Sequence, residues 1–416
     1  MVHLQKYYDL CFMNQRILII GFVWPEPTSS AAGWRMLQLI KQLQQISTDL
    51  HFACAASTSE ASFPLQNMNV QTHDIILNSD SFNTFVENLK PDIVVYDRFM
   101  TEEQFGWRVK QECPDAVTIL DTEDLHFVRK ARTTAFKNNS EINYDTIECY
   151  RELSAIFRCD LSIIISKSEY ELLVADFNVP MKQLLYLPFV ENTITKEDQL
   201  KLPMFQDRSN LMFIGNFIHD PNYQTVLQLK KLWPLIKKRL PKVELHIYGA
   251  YATQKVLQLH NEKEGFIIKG KAVDVNETMK KYRLLVAPIP YGAGLKGKFI
   301  DGFRNALPNV TTPVGAESMF VTIWGGTICE EANFVSEIEK LYTNETYWKQ
   351  AVSNGYEIIN KQFSDAIWEN TLKLEVIKTV SNLKKHRSNL IFQKILWQNS
   401  LQATKYMSLW IAEKNK

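Results

Sequence analysis

Short apolar runs alternate with segments of helical periodicity along most of this chain. A first series of runs is typical of buried strands: Arg16–Phe22, Leu50–Ala56, His73–Leu77, Asp92–Tyr96, Val117–Asp121 and Leu161–Ser166. A second series has the same character: Leu211–Gly215, Glu244–Tyr248, Phe266–Ile268, Leu284–Ala287 and Thr327–Cys329. Helical patterns such as Arg35–Gln45 and Thr225–Lys238 lie between the runs. This alternation predicts an α/β protein in which crossover helices join parallel strands.

A polar interval separates the two series. The first series closes at Leu187-Pro188-Phe189, a charged stretch follows, and the strand pattern resumes after Ser209. We therefore predict an N-terminal domain over residues 1–190, a hinge at about 188–208 and a C-terminal domain over residues 209–365. Residues 366–416 have a helical pattern and are predicted to form a helical extension. The length of 416 residues also favours two cores over one.

Charge and cysteine content narrow the function classes. The chain has 47 Lys and Arg against 46 Asp and Glu, a formal net charge of +1, which disfavours binding to nucleic acid by neutralising many phosphates. Its cysteines are scattered without a CxxC pair: Cys11, Cys54, Cys113, Cys149, Cys159 and Cys329. Such thiols are typical of the cytosol. The first residues show no signal-peptide pattern and no apolar run reaches ~20 residues, so we expect a cytoplasmic protein, with contact to the inner face of a membrane left open.

The segment Pro290–Lys298, called here the glycine–lysine loop, carries the strongest chemical signal. It contains Gly292, Gly294 and Gly297 together with Lys296 and Lys298, and it lies between a predicted strand and a predicted helix. Backbone N–H groups and the helix dipole at such a junction bind phosphate. Lysines oppose that dipole, so ligand contact explains them better than a structural role. We predict that both lysines bind a diphosphate.

Two other strand-end segments carry polar residues. The run Asp121-Thr122-Glu123-Asp124-Leu125-His126 could orient sugar hydroxyls or serve acid–base chemistry, but it is equally compatible with helix caps and a surface histidine. The loop over residues 21–33 is either a ligand loop or a solvated turn, and it matches neither GxGxxG nor a GxxxxGK[ST] phosphate loop. The histidines form no HExxH or HxH cluster, so we predict no metal. Asp301 is either a ribose ligand or an ordinary helix carboxylate.

The glycine–lysine loop and the segment Thr311–Glu317 resemble the donor-nucleotide motif of glycosyltransferase family 4, of the group 1 type. The resemblance implies a GT-B fold, in which two Rossmann-like domains face each other across a cleft. It extends to Trp24–Pro27, Asp97–Phe99 and the segment 215–222. By the resemblance, the catalytic residues are His126, Lys296 and Lys298; the donor-binding residues are Gly292, Ala293, Gly294, Leu295, Asp301, Asn216, His219 and Glu317; and the acceptor-side residues are Glu26, Arg35 and Asp124.

The chain departs from the family pattern at two places. The family's two acidic residues, eight positions apart, fall on Ala293 and Asp301, so the first acid is absent and the second is shortened. The family's basic pair after the first strand of the C-terminal domain is replaced by Asn216 and His219.

The resemblance implies metal-independent transfer, with retention, from a nucleoside diphosphate sugar to a glycan or lipid-linked acceptor, without a further cofactor. Because Ala293 replaces an acid, a non-catalytic module that binds a sugar nucleotide or glycan is the main alternative, and a UDP-sugar epimerase is a weaker one. The basic stretch Arg129-Lys130-Ala131-Arg132 could contact anionic lipid or form a solvated helix face. The sequence does not indicate the oligomeric state.

Overall fold

Two parallel β-sheets dominate the fold, which a computed structural model describes over residues 15–319 and 322–415. The N-terminal sheet has the strand order β3-β2-β1-β4-β5-β6-β7, and all neighbouring strands are parallel. Its strands are β1 (Arg16–Gly21), β2 (Asp49–Cys54), β3 (Gln71–Asp74), β4 (Ile93–Asp97), β5 (Val117–Asp121), β6 (Leu161–Ile164) and β7 (Leu184–Tyr186). Cys11 and the first residues lie outside the described residues.

Crossover helices connect these strands. They are α1 (Ala31–Leu43), α2 (Ser81–Leu89), α3 (Arg98–Glu112), α4 (His126–Asn138), α5 (Ile147–Arg158) and α6 (Lys167–Ala175). Ser30 begins α1, because its side chain accepts a hydrogen bond from the Gly33 N–H. The strands are buried on both faces, as parallel sheets covered by helices require: Ile17, Leu18, Ile19 and Ile20 are each fully buried.

The C-terminal sheet repeats the same topology, with the order β10-β9-β8-β11-β12-β13. Its strands are β8 (Ser209–Ile214), β9 (Leu245–Tyr248), β10 (Phe266–Gly270), β11 (Tyr282–Ala287), β12 (Asn309–Thr311) and β13 (Gly326–Ile328). A short helix α7 (Lys196–Leu200) precedes this sheet. Its own helices are α8 (Asp220–Arg239), α9 (Gln254–Leu257), α10 (Val275–Met279), α11 (Gly297–Arg304), α12 (Pro313–Ala316), α13 (Phe334–Thr343) and α14 (Glu345–Ile358). In each sheet the strand order reverses beside the first strand, which is where open α/β sheets bind ligands.

Most predicted strands are present, and β7 and β12 were missed. Both comprise three residues; β7 leads directly into the connector at Leu187-Pro188-Phe189, and β12 follows Pro308 and contains one apolar residue, Val310. The third strand was predicted at His73–Leu77 but forms at Gln71–Asp74. This strand lies at the edge of the sheet and is only partly buried, which weakens its apolar signal.

The connector between the domains is anchored by Glu191. Its buried carboxylate accepts hydrogen bonds from Trp34 Nε1 (3.1 Å) and Gln38 Nε2 (2.7 Å) of the N-terminal domain. It also forms an ion pair with Arg304 of the C-terminal domain at 2.6 Å. The Glu191 N–H donates to the Phe363 carbonyl at 2.7 Å, where the chain crosses back. The two crossing segments are therefore joined by hydrogen bonds.

After the second crossing, the chain forms helices that pack on the N-terminal domain. They are α15 (Asp365–Trp368), α16 (Thr371–Ser381), α17 (Leu383–Ser388) and α18 (Ile391–Lys414). Leu372 and Val376 of α16 are buried in the core beneath α1, and α18 packs on α3 and α5. In the described part of the chain, no helix has an apolar stretch that would span a bilayer.

Candidate functional site

The glycine–lysine loop joins β11 to α11 at the carboxyl end of the C-terminal sheet and docks against the N-terminal domain. The Gly294 N–H donates a hydrogen bond to Glu169 Oε1 at 2.7 Å, and Ala293 packs on the N-terminal core. A Cβ atom at Gly297 would lie 2.9 Å from the Cβ of Ala31, at the start of α1. The loop is therefore enclosed between the two domains.

Gly294 is constrained in two ways. Its φ is +61°, in the left-handed region that favours glycine. A Cβ atom there would lie 2.6 Å from the Cβ of Asp124, which is closer than side chains approach. Only a residue without a side chain lets the loop reach the N-terminal domain.

Lys296 and Lys298 extend into the protein. Lys296 Nζ donates to the Gly294 carbonyl at 2.9 Å. Lys298 Nζ donates to Asn222 Oδ1 at 2.7 Å and lies 4.3 Å from the centre of the Phe213 ring. Burial lowers the pKa of both lysines, that of Lys298 to about 7 with a further contribution from the Lys296 charge. Within the described residues, neither ammonium group forms an ion pair, although the nearby charges of Glu317, Glu169 and Asp124 oppose the lowering of the Lys296 pKa.

The start of α11 lacks a side-chain cap. Lys296 occupies the N-cap position, and its side chain accepts no hydrogen bond from the helix. By contrast, Thr312 accepts a hydrogen bond from the Gly315 N–H at the start of α12. An uncapped N-terminus beside two cations creates a positive potential that an anion would neutralise. The assignment of Lys296 and Lys298 to a diphosphate site stays a prediction.

An ion pair links the two domains beside the loop. Arg132 of α4 contacts both carboxylate oxygens of Glu317, with Nη1–Oε2 at 2.6 Å and Nη2–Oε1 at 2.8 Å. Arg132 Nη1 also donates to the Gly292 carbonyl at 2.7 Å. Arg129 and Lys130 pair with Asp124 and Glu148. The basic stretch is thus engaged in ion pairs within the protein, while Lys130 remains exposed to solvent.

His126 and Asp124 lie at the carboxyl end of β5, on the N-terminal side of the cleft. His126 Nε2 is 3.8 Å from Asp124 Oδ1, and Phe99 packs edge-on against the imidazole. Burial lowers the pKa of His126 to about 4, which outweighs the opposing charge of Asp124. The ring is therefore neutral at pH 7. The Glu152 side chain, which belongs to α5, accepts hydrogen bonds from the His126 and Phe127 N–H groups. It therefore caps the N-terminus of α4.

Acidic residues also cluster at the carboxyl ends of β4 and β5. Asp97 and Asp121 are register partners on β4 and β5, and both are buried. Burial raises the pKa of Asp121 to about 6, against the opposing charge of Arg35. Burial and the Asp121 charge raise the pKa of Glu123 well above its usual range. Arg98, with φ +71°, lies 3.5 Å from Asp97 Oδ1 and offsets part of this charge.

The predicted donor-side residues occupy the loop after β8 and the surroundings of α11. Asn216 Nδ2 donates to the Ser29 carbonyl of the N-terminal domain at 3.2 Å. His219 precedes α8; partial burial lowers the pKa of its imidazole, and the Arg129 charge lowers it further. Asp301 lies near the connector, and burial and the Glu191 charge raise its pKa to about 7. Leu295 is buried in the C-terminal core.

The residues predicted on the acceptor side have different surroundings. Glu26 accepts hydrogen bonds from Ser59 and, across the domains, from the Tyr251 hydroxyl at 2.7 Å. Arg35 is fully buried and donates to the Pro188 and Leu187 carbonyls at 2.7 and 2.9 Å. This conformation gives Arg35 no surface for an acceptor. It holds the connector instead, because a buried guanidinium must satisfy its donors.

Two cavities lie near the interdomain surface. One of about 670 Å³ is lined by Pro27, Ser29, Ser62, Tyr251 and Lys271, and so by both domains. The other, of about 590 Å³, is lined by Glu317, Ser318, Trp324, Thr327 and Tyr347. Lys296 and Lys298 line neither cavity. In the described part of the chain, no group of three His, Cys, Asp or Glu side chains could hold a metal ion.

Two contacts of the glycine–lysine loop and its surroundings were not predicted from the sequence: the contact of Glu169 with Gly294 and the ion pair of Arg132 with Glu317. In the sequence, Ser166 and Glu169 have the three-residue spacing of a capping box. Ser166 does accept from the Glu169 N–H, but the Glu169 carboxylate accepts from Gly294. The sequence does indicate that Glu169 lies near the site, because Ser166–Glu169 follows a strand at the same edge of the sheet as the Asp121–His126 run.

Comparisons with known proteins agree with this architecture. Residues 208–344 match the family model described as glycosyl transferases group 1. The match comprises about a third of the chain and includes the entire glycine–lysine loop. No curated protein sequence matches the chain.

Solved structures match over both domains at low identity. Sucrose-phosphate synthase from Thermosynechococcus elongatus is 12% identical over 88% of this chain and 100% of its own, with a TM-score of 0.66. Anabaena HepE, solved with UDP and glucose, is 10% identical over 88% and 100%, with a TM-score of 0.65.

A third match is partial. TarM from S. aureus, solved as a variant with fondaparinux, alpha-GlcNAc-glycerol and UDP, is 15% identical over 70% of this chain, with a TM-score of 0.56. The match spans 58% of the TarM chain. With two parallel-sheet domains of Rossmann-like order that match such structures across their length, the protein has the GT-B fold.

Proposed function

We propose that this protein is a glycosyltransferase that transfers a sugar from a nucleoside diphosphate sugar to a glycan or lipid-linked acceptor. The observation that carries the proposal is the pair of lysines at the uncapped start of α11: Lys296 is buried, Lys298 is partly buried, and neither forms an ion pair with a described residue. A buried cation and a partly buried one beside an open helix N-terminus are costly without an anion. The family-model match over residues 208–344, which includes these lysines, supports the same conclusion.

The lysines suit the departing nucleotide. As the bond between the sugar and the diphosphate breaks, negative charge develops on the leaving phosphate, and preorganised cations stabilise that charge. The pKa of Lys298, about 7, rises when a diphosphate replaces Asn222 as its partner, so the ligand restores its full charge. Within the proposal, transfer proceeds with retention and without a metal or further cofactor.

Residues of the N-terminal domain are proposed to line the sugar and acceptor side. The neutral imidazole of His126 can accept a hydrogen bond from a sugar hydroxyl. Ala293 replaces the family's first acid. The N–H of the next residue, Gly294, donates a hydrogen bond to the Glu169 side chain. Burial raises the pKa of Glu169 to about 8, and we propose that this side chain supplies a carboxyl group to this part of the site from the opposite domain. Asp301 and Glu317 are proposed to contact the ribose or nearby donor groups.

Access to the site requires the domains to separate. The loop, Glu169 and Arg132 close the cleft, and the lysines border neither cavity. Closure around the donor would exclude water from the reacting bond. The hinge at about 188–208, together with the returning segment at Ser364, is the proposed axis of this motion.

Calorimetry with nucleoside diphosphates tests the phosphate assignment. The Lys296→Ala, Lys298→Ala double variant is expected to lose affinity by about 100-fold or more, since charged hydrogen bonds contribute ~1.5–3 kcal/mol each. The matched control is Lys230→Ala, Lys231→Ala, which removes two surface lysines paired with Glu264 and Glu331. Undiminished affinity in the first variant would overturn the assignment.

A binding module without catalysis is the second candidate, and Ala293 is the observation that favours it. Purified protein would then bind a sugar nucleotide while releasing neither free sugar nor nucleoside diphosphate. An epimerase would alter the sugar without an acceptor. We assign the protein to the cytoplasm, because the five cysteines of the described chain are free thiols.

A further inference from the structure

Glu169 lies at the start of α6, where the C-terminal domain covers the end of the N-terminal sheet. The residue is 3% exposed, and its Oε1 accepts a hydrogen bond from the Gly294 N–H of the opposite domain at 2.7 Å. Close by, the hydroxyl groups of Ser166 and Ser318 form a hydrogen bond across the domains at 2.9 Å, and Ile165 is buried in the core of the C-terminal domain. Separation of the domains would therefore expose the Glu169 carboxyl group to water.

The charged side chains that face the Glu169 carboxyl group come from four elements. They are Asp124 after β5, Arg132 of α4, Glu152 of α5 and Lys296 of the glycine–lysine loop. Burial, followed by the Asp124 charge, raises the pKa of Glu169 to about 8, although the Lys296 charge opposes this. On α6 itself, Lys167 and Glu171 are exposed and lie 3.9 Å apart. The closed molecule therefore holds Glu169 in its protonated form at pH 7.

The surroundings of Glu169 in the closed molecule suit an uncharged carboxyl group. Its Oε2 is buried and receives no well-directed hydrogen bond from a described residue, while the Leu125 N–H lies near the carboxyl group. An ionised carboxylate that leaves water for such surroundings would lose most of its hydration without a full replacement. A protonated carboxyl group avoids this cost and still accepts the hydrogen bond from Gly294.

We propose that the cleft is gated by a proton, which Glu169 takes up when the domains close and releases when they open. Closure is therefore favoured by acid at this residue and opposed by alkaline pH. The proposal concerns the chain without a ligand, so it does not depend on whether the protein transfers a sugar.

The direction of the effect follows from the two states of the molecule. In the open form an exposed Glu169 has its ordinary pKa of 4.5, and in the closed form its pKa is about 8. Between these values the closed form binds the additional proton, so this residue lowers the ratio of closed to open molecules by up to about tenfold for each unit of rising pH. Other cleft residues with lowered pKa values act in the opposite direction wherever closure causes the lowering: Lys296, Lys298, His126 and His219. The contribution of Glu169 is therefore isolated by substitution.

Small-angle scattering of the full chain, without a ligand, at about pH 6 and about pH 8.5 tests this proposal. Glu169→Gln keeps an oxygen that can accept a hydrogen bond from the Gly294 N–H, but it cannot ionise. From the lower to the higher pH, the unmodified chain is expected to gain more in radius of gyration than this variant. The matched control is Glu171→Gln, which lies on the exposed side of the same helix and should respond like the unmodified chain.

Infrared spectroscopy at about pH 6.5 provides a second measurement, which does not require the domains to move. The difference spectrum between the unmodified chain and Glu169→Gln should contain the carbonyl band of a protonated carboxylic acid, whereas the difference spectrum with Glu171→Gln should not. Unchanged circular dichroism is expected to show that both variants fold. An equal or greater pH response of Glu169→Gln in scattering would overturn the proposal, as would a carboxylate band in place of the acid band.

Discussion

At the residue scale, Lys298 carries a charge that its surroundings do not neutralise. Its Nζ has an amide oxygen and an aromatic ring as partners, and burial lowers its pKa to about 7. Because a partly buried cation without a counter-ion destabilises the folded state, its presence points to a ligand that supplies the anion. We therefore expect that removing the charge at this position stabilises the free protein and weakens ligand binding.

Lys298→Met is predicted to stabilise the free protein and to weaken nucleotide binding. The methionine keeps most of the side-chain volume without the charge, so the free energy of unfolding at pH 7 should rise by about 1 kcal/mol or more. The stabilisation by added UDP should fall. Denaturant unfolding with and without UDP measures both. A destabilised variant that UDP still stabilises as strongly as the unmodified chain would contradict this account.

The same lysine predicts a pH dependence. Its pKa is lowered from 10.5 to about 7 on folding, so between these values the unfolded chain binds the additional proton and stability rises with pH. A bound diphosphate raises the pKa again, so affinity should decrease as pH rises from about 7 to 9. Calorimetry at pH 8 in two buffers of different ionisation enthalpy should register proton uptake. Lys298→Met should lower that uptake, and any remainder would come from Lys296, whose pKa is also lowered.

At the scale of the element, the glycine–lysine loop depends on Gly294 to reach the N-terminal domain. Gly294 and Gly270 both adopt positive φ, +61° and +74°. A Cβ atom at Gly294 would lie 2.6 Å from the Cβ of Asp124. A Cβ atom at Gly270 would have open space, with none of the surrounding atoms within 4 Å. Alanine substitutions at these two glycines therefore share the backbone strain, and only the one at Gly294 disturbs the contact with the N-terminal domain.

Gly294→Ala is predicted to be more damaging than Gly270→Ala. Backbone strain should cost each variant about 1 kcal/mol. Gly294→Ala should lose about 1–3 kcal/mol more, because the methyl group forces the loop away from Asp124. Denaturant unfolding gives both values. Equal losses would mean that the loop does not dock in solution as it does here.

At the scale of the entire molecule, polar contacts hold the two domains closed. The Arg132–Glu317 pair is bidentate, and the Ser318 hydroxyl accepts a hydrogen bond from the Ser168 N–H at 3.0 Å. Such contacts are exchangeable with water, unlike a large apolar interface. The molecule is therefore expected to open about its two crossing segments.

Arg132→Ala is predicted to expand the free molecule. The change removes the ion pair to Glu317 and the hydrogen bond to the Gly292 carbonyl, so the radius of gyration from small-angle scattering should increase. Arg151→Ala is the matched control, because Arg151 forms a bidentate pair with Glu103 inside the N-terminal domain. If both variants scatter like the unmodified chain, Arg132 does not hold the domains together.

The sequence was informative where the signal is local. Ile17–Ile20 predicted a buried strand because both faces of a parallel sheet are apolar, and the glycine–lysine loop lies between a strand and a helix as predicted. The anion site at this position stays a prediction. The partners of the loop could not be predicted in this way. Arg132 and Glu317 are 185 residues apart, and Glu169 and Gly294 are 125 apart, so only tertiary packing reveals these contacts.

Turnover of a panel of nucleoside diphosphate sugars by the purified protein tests the central claim most directly. The account predicts that one of these donors is consumed, with release of the nucleoside diphosphate. It also predicts that the Lys296→Ala, Lys298→Ala variant loses this activity while Lys230→Ala, Lys231→Ala retains it. Tight binding of a sugar nucleotide by the unmodified protein, without any release, would contradict the claim of catalysis.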